Sequence, residues 1–251
     1  MALEFSGKTA LVTGASRGIG RAIAELLHAQ GCRVAINSRH ADDLAAVALD
    51  LPGSVCVPGD MSQPLEARHV VAESRAALGQ LDIVVCNIGS GRSVPPGDET
   101  FEEWQRVFAL NLWTTTNTIE AARDALAASR GVAVCVSSIC GLEVVPGAPV
   151  TYSAAKAALH AYVRGIARPL GVQGIRINAV APGNILFEGS VWSRKMAVDA
   201  DGVQQMLDRD VALRRLGTPT DVAELVAFLA SPRSGFATGG VWQLDGGQVH
   251  T

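Results

Sequence analysis

Short runs of Val, Ile, Leu and Ala punctuate the chain: Thr9-Ala-Leu-Val12, Arg33-Val-Ala-Ile36, Val55-Cys-Val57, Ile83-Val-Val-Cys86, Val132-Ala-Val-Cys-Val136, Ile175-Arg-Ile-Asn-Ala-Val180 and Val241-Trp-Gln-Leu244. They are nearly continuous in apolar residues, which is the pattern of parallel strands buried on both faces. Between them, apolar residues recur at helical spacing over 19–30, 66–78, 101–127, 152–170 and 221–229. The alternation predicts an α/β fold: a doubly wound parallel seven-stranded sheet with helices on both faces. Right-handed crossovers then place a ligand crevice at the carboxyl ends of the strands.

At 251 residues and 48% hydrophobic content, the chain has material for one large core, so residues 1–251 are expected to form a single domain. No repeat or low-complexity tract interrupts it, and Gly89-Ser-Gly-Arg-Ser-Val-Pro-Pro-Gly97 reads as a loop. A formal charge of -3 with scattered basic residues argues against a nucleic-acid or anionic-membrane partner. The first residues, Met1 to Lys8, lack a leader-like pattern, and no run reaches the roughly 18 apolar residues of a membrane span, so a cytoplasmic location is expected. Five cysteines make an odd number without metal-type spacing. Cys32, Cys56, Cys86 and Cys135 read as buried thiols, while Cys140 stands apart because it follows Ser138 closely.

Thr13-Gly-Ala-Ser-Arg-Gly-Ile-Gly20 follows the first strand and opens the first helix. Gly14 allows the sharp turn, Gly18 lets backbone approach a pyrophosphate, and Gly20 permits close packing of the helix, whose N-terminus then meets the phosphates. This is a Rossmann-type nucleotide site, with Ser16, Arg17 and Ile19 completing the turn. At the end of the second strand, Asn37-Ser38-Arg39 stands where an acidic residue would hold the ribose of NAD. Arg39 and Arg17 can flank a 2′-phosphate and Ser38 can donate to it, so NADP(H) is expected over NAD(H). Asp42 and Asp43 come later, in the first turn of the next helix. Asp60-Met61 ends the third strand, where Asp60 can accept from an adenine amino group. Asn87-Ile88-Gly89 ends the fourth, where a small turn residue lets the chain pass over a ribose.

Tyr152 and Lys156 are four residues apart, so a helix puts phenol and ammonium on one face. A phenol titrates near 10 in water, about three units too high to cycle easily at neutral pH, and a neighbouring lysine cation lowers that value. Ser138 and Asn111 lie between this pair and the glycine turn.

Thr13-Gly-x-x-x-Gly-Ile-Gly20, Asn87-x-Gly89, Asn111, Ser138, Tyr152-x-x-x-Lys156 and Pro182-Gly183, in this order and at these intervals, resemble the short-chain dehydrogenase/reductase family. The likeness extends to Arg214-Arg-Leu-Gly217, Phe228-Leu-Ala-Ser231, Thr238-Gly-Gly and Asp245-Gly-Gly247, and is greatest to β-ketoacyl carrier-protein reductases. The resemblance implies that Tyr152 is the general acid of reduction and base of oxidation. Ser138, with Ser137 as the alternative, would hold the substrate oxygen. Lys156 would bind the nicotinamide ribose and depress the Tyr152 pKa, and Asn111 would support a proton-relaying water. Pro182, Gly183 and Ile185 would border the nicotinamide. Two departures stand out: Ile88 replaces the family's usual alanine, and Asn184-Ile-Leu-Phe-Glu188 lacks its threonine, leaving the carboxamide contact to Asn184 or to Ile185 backbone.

A substrate lid is expected at about 184–210, where Phe187, Val191, Trp192, Met196 and Met206 suggest an amphipathic helix that either closes over substrate or packs on another subunit. Cys140, Leu142, Val144, Val145, Phe187 and Trp192 suggest an apolar wall, with Glu143 and Glu188 as the polar readers. A homotetramer follows from the resemblance and from apolar outer positions of the helices at 101–127 and 152–170, with Gln248 to Thr251 as a second contact. The expected activity is hydride transfer between NADP(H) and a ketone or secondary alcohol. The narrower alternative is a 3-oxoacyl-[acyl-carrier-protein] reductase, although Arg92, Arg130 and Arg168 are dispersed. A non-catalytic nucleotide-sensing protein on this fold would be expected to lose Tyr, Lys or Ser, and all are present.

Overall fold

The computed structural model describes residues 3–250. Seven strands form one parallel sheet in the order β3-β2-β1-β4-β5-β6-β7. They are β1 (Thr9–Thr13), β2 (Arg33–Asn37), β3 (Val55–Cys56), β4 (Ile83–Cys86), β5 (Val132–Val136), β6 (Arg176–Pro182) and β7 (Val241–Leu244). The chain moves outward from β1 to β3, returns to the other side of β1 with β4, and then proceeds to β7. The direction therefore reverses between β1 and β4. Register is tight there: Ala10, Leu11 and Val12 pair with Ile83, Val84 and Val85.

Because successive side chains alternate across a strand, each strand feeds two cores. Ala10, Val12, Val34, Ile36, Ile83 and Val85 pack on one face with Ile23 and Leu27 of α1 (Gly18–Ala29) and Val222 and Val226 of α9 (Pro219–Ala230). Leu11, Ala35, Val84, Cys86 and Cys135 face the other way. There they meet Val70 of α3 (Pro64–Leu78), Ile119 and Leu126 of α5 (Thr114–Ser129), and Leu159 and Val163 of α6 (Val150–Val172). Each such aliphatic side chain, fully buried, contributes about 1.5–3 kcal/mol.

Local signals set several helix ends. Pro64 opens α3, and Gly79, at φ 86°, closes it in a conformation that penalises other residues. In α9, Thr218 and Asp221 cap each other reciprocally behind Pro219, an arrangement whose loss costs about 1 kcal/mol. Arg215 grips the same Asp221 carboxylate and, with Thr218, holds its pKa well below the usual range. The helix α2 (Ala41–Ala48) carries Asp42 and Asp43 in its first turn, as the sequence suggests.

Three expectations need correction. The apolar period over 101–127 is not one helix: α4 (Phe101–Phe108) and α5 are joined by a π-helical turn, Ala109–Trp113, that contains Asn111. The Asn111 amide donates to the Val107 carbonyl, taking an acceptor from the regular helical ladder. The segment at about 184–210, expected to carry one amphipathic helix, likewise holds two, α7 (Val191–Val198) and α8 (Ala200–Asp210). Asp199, at φ -152°, breaks the run and accepts from the Gly202 amide to start α8. Finally, Cys56 is exposed rather than buried, because β3 is a two-residue edge strand.

At the amino end of the sheet, buried Asp82 accepts from the Thr9 amide and hydroxyl, Lys8 Nζ and Gln80 Nε2. Burial opposes the charge, yet these bonds hold its pKa below the usual carboxylate value. Asp82→Ala leaves the Thr9 amide without its partner and should reduce stability by about 1–3 kcal/mol, read as a lower urea midpoint with an unchanged m-value.

Candidate active site

The glycine turn leaves the carboxyl end of β1 and is fastened to β4. Asn87 Nδ2 donates to the carbonyls of Thr13 and Gly14 at 3.2 and 3.1 Å, while its backbone amide donates to Thr13 Oγ1. Glycine is required on steric grounds. A Cβ at Gly14 would lie 3.0 Å from Asn87 Nδ2 and from Ile88 Cγ1, and one at Gly20 would collide with the Gly14 carbonyl. Ser16 and Ile19 are part-buried in this turn, and Arg17 is exposed at its tip. Asn87 thus holds the two strand ends together, a role that the spacing alone did not reveal.

Asn37, at the end of β2, is fully buried. Its Nδ2 donates to the Val57 and Gly59 carbonyls, but its Oδ1 has no partner. A buried acceptor without a donor is costly, so this oxygen is where a ligand hydroxyl or amine would be favoured. Ser38 donates its hydroxyl to the His40 carbonyl, which commits the proton expected for a phosphate. Arg39 is exposed, and among the described residues neither Arg17 nor Arg39 forms an ion pair. Asp60 accepts from the Ser62 amide. The Met61 side chain is enclosed in the core and its carbonyl accepts from Asn117, so it offers no side-chain surface at the strand end.

The four remaining predicted side chains converge beyond β4 and β5. Lys156 is 2% exposed, and its ammonium donates to the Val136 carbonyl at 3.2 Å and lies 5.8 Å from the centre of the Tyr152 ring. Burial lowers its pKa to about 8. A Cβ at Gly89 would come within 3.0 Å of Lys156 Nζ and 2.9 Å of Asn111 Oδ1, so this glycine lets both side chains reach the crevice floor. Both Asn111 amide hydrogens are committed: Nδ2 donates to the Ser90 and Val107 carbonyls, while Oδ1 accepts from the Ser90 amide. Burial pushes the Tyr152 phenol well above its ordinary value, a hydrogen bond with the Ser138 hydroxyl opposes that rise, and Cys140 adds to it. The protein's own groups therefore do not depress the Tyr152 pKa as the sequence suggested, since the ammonium is directed at a backbone carbonyl.

Pro182 closes β6 against Leu244, and the Gly183 amide donates to the Leu244 carbonyl. Ile185 is buried and bridges to Gly217, whose amide donates to the Asn184 carbonyl. The Phe187 ring lies over the glycine turn, so that a Cβ at Gly18 would be 2.5 Å from its Cε2. The apolar wall is only partial, for Val144 is 94% exposed. Glu143 accepts from the His250 amide and so is tied to the C-terminal segment. Thr251 lies outside the described residues.

Sequence reasoning missed two clusters. Ser93 donates to Glu103 and receives a hydrogen bond from Thr151, tying the loop after β4 to the residue preceding Tyr152. Arg106, with Ser93, lowers the Glu103 pKa to about 2. Behind Ser138, His160 Nδ1 contacts the Gly141 carbonyl at 3.1 Å, and Nε2 contacts Ser137 Oγ at 2.7 Å. A carbonyl only accepts, so Nδ1 carries the proton and Nε2 accepts from Ser137. The signal was present: His160 follows Lys156 by one helical turn and shares its face. Ser137 being committed to His160, Ser138 is the hydroxyl left to face Tyr152.

Burial, with the nearby Arg164 and Lys156 charges, lowers the His160 pKa to about 4 from its ordinary 6.5. The neutral ring is favoured in the folded protein, so its stabilising contribution is complete above about pH 6.5 and lost as pH falls through about 4. Unfolding midpoints measured across this window should fall more steeply for the wild type than for His160→Leu.

The family described as enoyl-(acyl carrier protein) reductase matches residues 14–249. The chain is 38% identical over 243 residues to a protein named as ketoacyl reductase 2 of the granaticin polyketide synthase, from Streptomyces violaceoruber, covering 95% of this chain and 94% of that one. It is 33% identical over 256 residues to glucose 1-dehydrogenase of Gluconobacter oxydans, covering 97% and 92%. A solved 7α-hydroxysteroid dehydrogenase, complexed with NADH and 7-oxo glycochenodeoxycholic acid, matches with a TM-score of 0.90 at 27% identity over 100% of this chain and 97% of that one. With the strand order and glycine turn described above, these likenesses make the chain a member of the short-chain dehydrogenase/reductase family, nicotinamide-dependent enzymes acting on CH–OH and ketone groups.

Proposed function

We propose that this enzyme transfers hydride between NADP(H) and a ketone or secondary alcohol through Tyr152, Lys156, Ser138 and Asn111. The observation that carries the reading is their convergence at the ends of β4 and β5, next to the glycine turn at the end of β1. The turn fits a dinucleotide: Gly14 and Gly20 let β1, α1 and Asn87 pack too closely for any side chain, which brings the N-terminus of α1 to the crevice, and buried Asn37 Oδ1 lacks a donor. When bound, the nicotinamide supplies or accepts the hydride at the carbonyl carbon.

Tyr152 donates its proton to the substrate oxygen during reduction, and the Ser138 hydroxyl orients that oxygen. The high Tyr152 pKa keeps the proton on the phenol until the oxygen gains charge. Lys156, lowered to about 8, is poised near neutrality to return a proton to the resulting phenolate. Asn111 ties down Ser90, next to the Gly89 that lies against Lys156; both of its amide hydrogens are committed, and its Oδ1, with one hydrogen bond accepted, keeps a lone pair that can accept from a water. In oxidation the roles of acid and base reverse.

NADP(H) preference rests on Arg17 and Arg39 beside a strand end without a carboxylate. The substrate is an apolar ketone or alcohol held under a lid at about 184–210, where Val203, Leu207 and Val211 pack with Trp192 and Met206. A carrier-bound 3-oxoacyl substrate is the narrower reading, supported by likeness to a named ketoacyl reductase. We read the chain as one domain and as a cytoplasmic homotetramer. Five unpaired thiols fit a reducing compartment, and Phe101, Trp113, Val150 and Val172 leave apolar surface along α4 to α6 for a second copy to cover.

Arg39→Ala should weaken NADPH binding by about tenfold, the loss of one exposed charge-assisted contact, and leave NADH binding nearly unchanged. Fluorescence titration with both cofactors decides it, and equal weakening would remove Arg39 from 2′-phosphate recognition. Tyr152→Phe should lower kcat by at least about a hundredfold while NADPH still binds, whereas Lys156→Ala should damage both. A Tyr152→Phe enzyme with substantial turnover would overturn the mechanism and favour an accessory role for the phenol.

A further inference from the structure

His160 is a buried imidazole that the proposed mechanism does not use, and it touches the Ser138 loop on both sides. Ser137 precedes Ser138 and donates to Nε2 at 2.7 Å; Gly141 follows three residues later and accepts from Nδ1 at 3.1 Å. Between these two contacts the loop forms the short 3-10 turn Ile139–Gly141, in which Ser138 Oγ accepts from the Cys140 amide. The loop is pressed against α6: a Cβ at Gly141 would lie 2.7 Å from His160 Cε1, 2.6 Å from the Lys156 carbonyl carbon and 2.8 Å from the Ala157 amide nitrogen. One turn earlier on the same helix, Lys156 reaches the Val136 carbonyl, immediately before Ser137. Tyr152, Lys156 and His160 therefore lie at successive turns of one face of α6, and the last two grip the strand end and loop that present Ser138.

We propose that His160 is a positioning residue for the Ser138 hydroxyl, acting through Ser137 and Gly141 as a two-ended clamp. The inference deepens the proposed Tyr-Ser-Lys reading and rests on it. The Ser137 amide already donates to the Val180 carbonyl, and the imidazole adds a hold on the Ser137 hydroxyl at one end of the turn and on the Gly141 carbonyl at the other, which together fix where Ser138 Oγ stands relative to the Tyr152 phenol. The neutral imidazole suits this task because one nitrogen donates while the other accepts. An aliphatic side chain of similar size fills the volume and supplies neither bond. The clamp touches no reacting atom, so its removal should appear in turnover and loop geometry rather than in cofactor affinity.

The test compares wild type, His160→Leu, His160→Gln, Ser137→Ala and the Ser137→Ala/His160→Leu double variant, with Tyr152→Phe in parallel. The full-length chain is used throughout, with NADPH and 2,3-butanedione as probes. Thermal melts and fluorescence titration first establish the folded fraction and NADPH affinity, which should stay within about twofold of wild type in the His160 variants. Per folded enzyme, His160→Leu should lose about 10- to 100-fold in kcat, the scale of a small misplacement of a reacting partner. His160→Gln, whose amide oxygen can accept from Ser137, should recover part of this. The double variant should be no worse than His160→Leu, because both changes break one clamp. Crystal structures of wild type and His160→Leu should differ at Ser138 Oγ by about 0.5 Å or more. An unmoved Ser138 Oγ, or a kcat within about twofold of wild type, would overturn the inference. Should His160→Leu fail to fold, Ser137→Ala and His160→Gln are read by the same two criteria. Turnover retained by Tyr152→Phe would sink the proposed mechanism instead, a separate outcome from wild-type turnover in the His160 variants.

Discussion

The pairing of β1 with β4 is the constraint on which the rest of the site depends. These neighbours in the sheet are separated by two strands in sequence, and the chain leaves their carboxyl ends in opposite directions. The connection from β1 passes into α1 and that from β4 into the loop before α4, so the two diverge and leave a crevice between them. The opening would be unstable if each strand end were free to fray. Asn87 opposes this by giving both side-chain amide hydrogens to the β1 end while its backbone amide donates to the Thr13 hydroxyl. One side chain thus sets the width of the crevice, and Gly14 and Gly20 are the residues that tolerate that width.

The chemistry beyond the crevice depends on a charge kept away from water. Lys156 is almost fully buried and, among the described residues, has no carboxylate partner. Burying an unpaired ammonium is unfavourable, and the single backbone acceptor at Val136 offsets only part of the cost. The consequence is a pKa lowered to about 8, where proton exchange is easiest near physiological pH. The same desolvation that lowers the lysine raises the tyrosine, so two groups that are close in proton affinity in water are driven apart.

The relatives show how little of the substrate is written into this frame. Proteins named for ketoacyl, sugar and steroid chemistry align with nearly the whole chain, so the sheet and crevice are shared while the reaction partner varies. Here the segment that carries α7 and α8 packs around a small separate cluster of Val203, Leu207 and Val211, and Phe187, just before α7, covers Gly18. That cluster stands apart from the two cores that flank the sheet.

Periodicity and spacing alone determined the strand sequence, the glycine turn and the shared face of Tyr152 and Lys156, because those properties are local: a strand alternates every two residues and a helix repeats every 3.6. Strand ends agree with the apolar runs within about two residues, as expected where hydrophobic burial dominates. The π-helical turn at Asn111 was invisible, since what selects it is an amide bonded to the distant Ser90 as well as to the local Val107. Cys56 was misread because its run is apolar yet lies at a sheet edge, and edge position is a property of strand order. The engagement of Ser137 by His160, 23 residues away in sequence, was likewise tertiary. Hydrogen-bond partners brought together by folding, and the desolvation that shifts Lys156, Tyr152 and His160, exist only once the chain has closed around them.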